Sequence, residues 1–114
     1  MGKVNTTNEL TDVIFQDQAT SVGAGTIFAV GGYKNLTIEI FGTSTSRTIT
    51  FLGTSKSGIA RNMQGCRIPD FTMASSTTST GEIWQFDITG LNSVTMNLTA
   101  VAGGDVSVAG RAIA

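Results

Sequence analysis

The chain contains no histidine and one cysteine, Cys66, and both shortages exclude kinds of function. One cysteine cannot form a disulfide within the chain, and a metal site of thiolates and imidazoles has almost no ligands available. The absence of imidazole also removes the commonest general base of enzymes. We interpret Cys66 as a small, partly buried apolar residue, with a reactive or intermolecular thiol as the alternative.

Charge is equally scarce in this chain. Charged residues make up 13% of the 114 residues, and 7 basic against 8 acidic side chains give a net charge of −1. No run of either sign offers an electrostatic footprint for nucleic acid or an anionic membrane. Neither a signal peptide nor an apolar run long enough to span a bilayer is visible. We therefore expect no nucleic-acid partner, no membrane partner and synthesis in the cytoplasm of a bacterial host.

The carboxylates and glycines that the chain does have do not suggest chemistry. A paired-carboxylate site needs two carboxyl groups at a defined separation, and the scattered acidic residues give no sign of one. The glycine-rich segments 23–25 and 102–105 lack both the lysine and the following helix of a phosphate-binding loop, so they are interpreted as turns. We expect no enzyme activity and no cofactor.

Apolar and polar residues alternate with a period of two over much of the remaining sequence. Between Asn35 and Gly53 the alternation occurs on both sides of the polar segment 42–46, which predicts a β-hairpin. Segments 82–88, 94–99 and 106–113 repeat the pattern and predict a β-meander. The residues predicted to supply most of the core are Ile38, Ile40, Ile49, Phe51, Trp84, Phe86, Val94, Met96 and Leu98.

No segment shows a sustained helical period, and the chain length corresponds to one domain. Seven to eight short strands at this spacing predict an all-β fold, an antiparallel β-sandwich with a jelly-roll-like arrangement. The single proline, Pro69, cannot donate to a β-ladder and is placed on an edge or in a bend.

The N-terminal segment is predicted to differ from the rest. Residues 1–21 are interpreted as an arm or an edge segment, and residues 22–114 as the sandwich domain. Val13, Ile14 and Phe15 form an apolar cluster too short to fold alone, which predicts a docking site for a partner protein. A first edge strand of the same domain is the alternative.

Trp84 is the residue for which a binding function competes with a structural one. An exposed tryptophan on a β-sandwich could stack against a sugar ring, as in carbohydrate-binding modules. Because Trp84 shares a face with Phe86 and Ile88, packing in the core is the favoured interpretation.

Several segments together resemble the small β-sandwich structural modules of tailed bacteriophages of Gram-positive hosts. They are RTITFLG (47–53), TGEIWQFDITGL (80–91) and LTAVAGGDVSVAGR (98–111), and the similarity covers residues 30 to 114 in their overall order. None of these segments carries chemistry. The resemblance implies a virion protein of the capsid decoration, head-fibre base or tail type.

The expected function is that of a non-enzymatic virion structural protein, with capsid decoration first and a tail, baseplate or fibre attachment domain second. The expected partners are further copies of the chain, as a trimer, and other virion proteins such as the major capsid protein. A small sandwich leaves edge strands open, and a threonine-rich edge of low charge can be covered by a neighbouring subunit. A carbohydrate-binding module is the alternative from another class.

Overall fold

The computed structural model describes residues 9–68 and 70–114, so that residues 1–8 and Pro69 lie outside it. The described residues form eleven strands, which in chain order are β1 Leu10–Ala19, β2 Ile27–Ala29, β3 Asn35–Phe41, β4 Ser46–Thr54, β5 Arg61–Asn62, β6 Gly65–Ile68, β7 Met73–Ala74, β8 Ser76–Thr77, β9 Glu82–Asp87, β10 Ser93–Ala102 and β11 Val106–Ile113. Within this part of the chain, no helix is long and apolar enough to cross a membrane.

The strands form two antiparallel sheets that pack face to face. The six-stranded sheet has the order β1-β11-β3-β9-β6-β7, and the other has the order β2-β10-β4-β5 with β8 beside β4. The predicted all-β antiparallel sandwich is confirmed. The strand number is larger than the seven to eight expected, because β5, β7 and β8 are only two residues long and too short to show a period in the sequence.

The predicted hairpin and meander are wrong, although their strands exist. β3 lies in the six-stranded sheet between β11 and β9, whereas β4 lies in the opposite sheet beside β10. The segment 42–45 therefore carries the chain from one layer to the other. The strands β9, β10 and β11 alternate between the layers in the same way. In both the predicted hairpin and the predicted meander, consecutive strands turn their apolar faces towards each other across the interior. They therefore lie in opposite sheets rather than side by side in one sheet.

The core lies between the two sheets, and all nine residues predicted for it are buried. Phe51 of β4 lies between two aromatic rings of β9, with its centroid 5.0 Å from Trp84 and 4.9 Å from Phe86. Gly65 of β6 makes room for this cluster, because a Cβ at this position would come within 2.4 Å of the Phe86 ring. The alternation therefore identified the inward face of each strand, independently of which strands pair.

β1 is an edge strand of the six-stranded sheet, paired with β11 from Leu10 to Ala19. Its register shifts after Ile14, and this bulge directs two consecutive side chains, Phe15 and Gln16, into the interior. Gln16 Nε2 donates to the Met96 carbonyl at 2.9 Å and to the Gly23 carbonyl at 3.0 Å. A side-chain amide thereby ties the edge strand to the opposite sheet.

Phe15 belongs to the core, where it is 1% exposed. Its ring lies over Gly110 of β11, at which a Cβ would come within 2.7 Å of Phe15 Cε2. This burial argues against a sandwich that folds from residues 22–114 alone. The proposed division of the chain at residue 21 stays a prediction about independent folding, and part of the proposed arm, residues 1–8, lies outside the described residues.

Candidate functional site: the outer face of the six-stranded sheet

The outward side of the six-stranded sheet, called the outer face below, carries apolar side chains that the core does not use. Directly opposed residues on neighbouring antiparallel strands point to the same side. The register of β1, β11, β3, β9 and β6 therefore aligns one residue from each strand in a single row. This apolar row consists of Ile14, Ala109, Glu39, Ile83 and Ile68.

Four of the five side chains in the apolar row are aliphatic, and they are not buried by the rest of the chain. Ile14 is 54% exposed and Ile83 is 42% exposed, while Ala109 and Ile68 are partly exposed. Glu39 lies in the middle, opposite Ala109 on one side and Ile83 on the other. The row thus places one carboxylate within an otherwise apolar surface.

The neighbouring row of the same face is polar, and it contains an ion pair. Arg111 Nε donates to Asp12 Oδ1 at 2.8 Å, across the β1–β11 ladder. This hydrogen bond lowers the pKa of Asp12 and raises that of Arg111. Since the charges of this pair offset each other, Glu39 supplies the net charge of this part of the surface.

A shallow, open depression of about 560 Å³ lies over the two rows. Its walls combine the exposed aliphatic residues with Asp12, Glu39 and Arg111. Ile113 of β11, which is 44% exposed, extends the apolar surface towards the end of the strand. We call this depression the groove.

The outer side of the second sheet has a different chemistry. Its outward positions on β4 and β10 carry mainly hydroxyl and amide side chains, such as Thr50, Thr95 and Asn97. Thr54 and Ser93, on adjacent strands, form a hydrogen bond between their hydroxyl groups. This surface is therefore mainly polar on β4 and β10, although Ile27 of β2, directly opposite Thr95, is 63% exposed on the same side.

A second cluster of charged groups lies at the β6–β7 turn, and its geometry is that of a structural tie. Arg67 donates to Asp70 at 2.7 Å and to Glu82 at 2.9 Å. Glu82 in turn accepts the indole N–H of Trp84 at 3.1 Å. The bonds from Arg67 and from the Thr72 amide lower the pKa of Asp70 to about 2. These bonds hold the β6–β7 turn against the edge of the core. The charged groups bind each other and do not line an open site.

Arg47 is a further charged residue that the fold absorbs. It is 8% exposed, and its guanidinium donates to the Ser44 hydroxyl at 2.8 Å, to the Ser44 carbonyl at 2.8 Å and to the Thr78 carbonyl at 2.9 Å. These neutral acceptors satisfy the buried donors and tie the 42–45 crossover to the segment after β8. Arg47 is therefore a structural residue.

The residues singled out in the sequence do not all remain candidates. Val13 is partly buried against the core and lines the wall of the groove, and Ile14 is exposed on the apolar row. Phe15 is in the core and cannot reach a partner in the folded chain, because its side chain points to the same inward side of β1 as that of Val13. The docking role of Val13 and Ile14 stays a prediction. Trp84 is 1% exposed, so it offers no surface for stacking on a sugar ring.

Sequence reasoning missed Glu39, Ile83 and Ile113 as surface candidates. Their signal was present, since Ile83 and Ile113 occupy strand positions that point away from the core and would ordinarily carry polar residues. In the part of the chain that the structure describes, His, Cys, Asp and Glu side chains form no group of three able to hold a metal ion. The arrangement on the outer face is suited to binding another surface.

Comparison with known proteins identifies relatives in Bacillus subtilis, one of which is derived from a prophage. The SPbeta prophage-derived protein YomS of Bacillus subtilis (strain 168) is 40% identical over 107 residues, which are 94% of this chain and 90% of YomS. The uncharacterized protein YqxG of the same organism is 37% identical over 113 residues, which are 99% of this chain and 38% of YqxG. The chain thus spans nearly all of one relative and less than half of the other.

Solved structures share the fold. The crystal structure of YomS superposes on this chain with a TM-score of 0.91 at 38% identity. The superposition covers 98% of this chain and 99% of YomS. The crystal structure of the PBSX exported protein XepA superposes on this chain with a TM-score of 0.95 at 33% identity. This superposition covers 96% of this chain but 39% of XepA. The XepA family model matches residues 9–112. The names of YomS and XepA associate these relatives with the SPbeta prophage and the phage-like element PBSX, and this chain belongs to the XepA family.

Proposed function

We propose that the chain is a non-enzymatic structural module of a phage particle, a capsid decoration protein that binds the assembled head and stabilises it. The observation that carries this proposal is the outer face, where the apolar row and the groove are left uncovered by the rest of the described chain. Exposed apolar surface of this kind is typical of protein–protein contacts. The phage-derived relatives support the association with a phage.

The proposed partners are the major capsid protein and further copies of the chain, assembled as a trimer. A contact of this type needs shape complementarity and an apolar centre with a polar rim. The groove supplies the apolar centre, and the Asp12–Arg111 pair supplies part of the rim.

The test uses heads purified from a phage that lacks the gene. The purified full chain is added back, and the fraction that sediments with the heads is measured as a function of concentration. We expect saturable binding with a fixed number of copies per head, and heads that retain their DNA to a higher temperature. A chain that remains in the supernatant at all concentrations contradicts the capsid role.

A matched pair of variants locates the contact. Ile83→Asp introduces a charge into the apolar row, whereas Ile27→Asp introduces the same charge at an isoleucine that is 63% exposed on β2, in the other sheet. We expect Ile83→Asp to abolish sedimentation with heads and Ile27→Asp to retain it. Equal binding by both variants would show that the outer face is not the capsid contact.

A second function is favoured by one relative. The crystal structure of XepA is described as that of a PBSX exported protein, so a role outside the producing cell is the alternative for this chain. The same preparation distinguishes the two functions. If the chain is found in the medium of a lysing culture, free of particles and without affinity for purified heads, the exported role is favoured.

A further inference from the structure

A second depression lies where β4 ends, between the β4–β5 loop and the β9–β10 turn, and we call it the end pocket. It has a volume of about 180 Å³, and its walls include Gly53, Ile59, Arg61, Met63 and Leu91. None of these residues belongs to the outer face or to the groove. The end pocket is therefore a separate site.

The missing side chain of Gly53 leaves room for the end pocket. Gly53 is a buried position of β4, and it faces the interior in the same alternation as Ile49 and Phe51. A Cβ at this position would lie 3.1 Å from Leu91 Cδ1 and 3.3 Å from Met63 Sδ. Met63 and Leu91 are themselves packed against the core. The strand therefore ends on an unfilled interior position with apolar walls.

Hydrogen bonds hold the two segments that form these walls. The Gly58 amide donates to the Ser55 carbonyl at 3.0 Å, and Asn92 Nδ2, from the β9–β10 turn, donates to the same carbonyl at 2.9 Å. The Met63 amide donates to the Phe51 carbonyl at 2.9 Å. A pocket that is formed before binding loses little conformational entropy when it is filled. The flexible thioether of Met63 can adapt its shape to an occupant.

The rim of the end pocket is basic. Arg61 lines the pocket and Lys56 lies in the adjoining loop, and the salt bridges among the described residues include neither of them. The described residues that line the pocket include no Asp or Glu. Asp87, at the end of β9, accepts a bond from the Thr89 amide at 3.1 Å within its own turn. An occupant that carries a carboxylate would therefore be attracted to this rim.

We infer that the end pocket binds one leucine or isoleucine side chain from an acidic segment of a partner protein. The aliphatic group lies over Gly53 between Met63 and Leu91, and a neighbouring carboxylate pairs with Arg61. The volume favours a single side chain, because pockets for whole small molecules measure about 300–1,000 Å³. A bare anion gains nothing from the apolar walls. The inference does not rest on the capsid role, since it uses residues outside the outer face.

The test is a titration of the full-length chain, followed by NMR of isotopically labelled methionine methyl groups. The probe is a peptide with blocked ends that has one leucine between two pairs of glutamates. Met63 lines the end pocket, whereas Met96 is buried in the core and Met73 is 56% exposed on β7. We expect the Met63 signal to shift and to saturate while the other two stay in place. A Met63 signal that does not move at millimolar peptide overturns the inference.

Variants of the chain separate the pocket from its charged rim. Gly53→Ala places a methyl group in the end pocket and should abolish the saturable shift of Met63. Arg61→Glu should raise the dissociation constant at least about threefold, because repulsion replaces an exposed ion pair. Lys34→Glu makes the same charge change at an exposed position that does not line the pocket, and it should bind as the wild type does. Circular dichroism melting should show that each variant folds.

Variants of the peptide test the chemistry of the occupant. Alanine in place of the leucine should weaken binding at least about tenfold, because most of the buried apolar area is lost. Lysines in place of the glutamates should also weaken it, and equal binding of the basic peptide would contradict the role of Arg61. If inorganic phosphate alone produces the same shift of Met63 and the leucine adds nothing, the pocket is an anion site and the inference is wrong.

Discussion

Replacing Phe15 with alanine should destabilise the folded chain by about 3–5 kcal/mol, the range found when a buried phenylalanine is truncated. The Phe15 ring is 1% exposed, and it meets Phe28 edge to face, with ring centroids 6.3 Å apart and planes at 75°. A contact of this geometry adds about 0.5–1.5 kcal/mol beyond the area it buries. Since a domain is stable by about 5–15 kcal/mol, the loss is a large fraction of the total.

Gly110 offers an independent way to test the same packing. A Cβ at this residue would lie 2.7 Å from Phe15 Cε2 and 3.2 Å from both Leu36 Cδ1 and Val13 Cγ1. We expect Gly110→Ala to cost about 1–3 kcal/mol, as overpacked cores do. In the Phe15→Ala background the closest of these contacts is gone, so the glycine substitution should cost less. The two substitutions should therefore be coupled by about 0.5–3 kcal/mol.

The assay is equilibrium unfolding in guanidinium chloride, followed by the fluorescence of the single tryptophan, Trp84, which lies in the core. The four proteins of the cycle are compared at one protein concentration below the threshold of assembly, so that association does not enter the free energy of unfolding. If Phe15→Ala costs less than about 1 kcal/mol, a value typical of surface positions, then β1 contributes no side chain to the core and the reasoning is refuted. Strict additivity of the two substitutions would refute the contact between Phe15 and Gly110.

Three further predictions follow from the packing and the ion pairs. Gly65→Ala should cost about 1–3 kcal/mol in urea unfolding, because its Cβ would come within 2.4 Å of the Phe86 ring; an unchanged midpoint would contradict this contact. Arg67 and a backbone amide lower the pKa of Asp70 from 3.8 to about 2. The stability that this carboxylate contributes is therefore complete above about pH 5 and is lost as the pH falls towards 2. Asp70→Asn should flatten the fall in melting temperature in that window, and an acid profile identical to that of the wild type would argue against the effect. A chain that begins at Val22 lacks Phe15 and uncovers β11, so it should show no cooperative thermal transition; a melting curve like that of the full chain would instead establish residues 1–21 as a dispensable arm.

The inward faces of the strands could be predicted from the sequence because burial follows alternation directly. Ile38 and Ile40 of β3 and Ile49 and Phe51 of β4 were assigned to the core, and all four are buried. Alternation does not say which strands pair, since the same pattern suits a hairpin in one sheet and two strands facing each other across a sandwich. What distinguishes the two arrangements is the segment 42–45, which here crosses between the sheets. Its first residue, Gly42, has a φ of 134° and approaches the backbone of Asp105, which is distant in sequence.

The candidate site was less accessible to sequence reasoning than the core. The apolar row joins Ile14 near the start of the chain to Ala109 near its end, with Glu39 and Ile83 between them, and only the register of several strands brings them together. The bulge in β1 adds a second difficulty. It interrupts the period of two after Phe15, so that Gln16, which strict alternation would place on the surface, is buried beside Phe15.

The edges of the sheets also bear on how copies can associate. Open edge strands are one reason to expect an oligomer, yet β1 has two register shifts and Gln18 at a φ of 48°. Phe15 O already accepts a bond from the Thr26 amide at 3.0 Å, so part of the free edge is occupied. Bulges and covered backbone groups are means by which proteins prevent pairing at an edge. Since the long edge is blocked in this way while the outer face keeps its isoleucines exposed, association of this domain should depend on side chains of a sheet face rather than on an added strand.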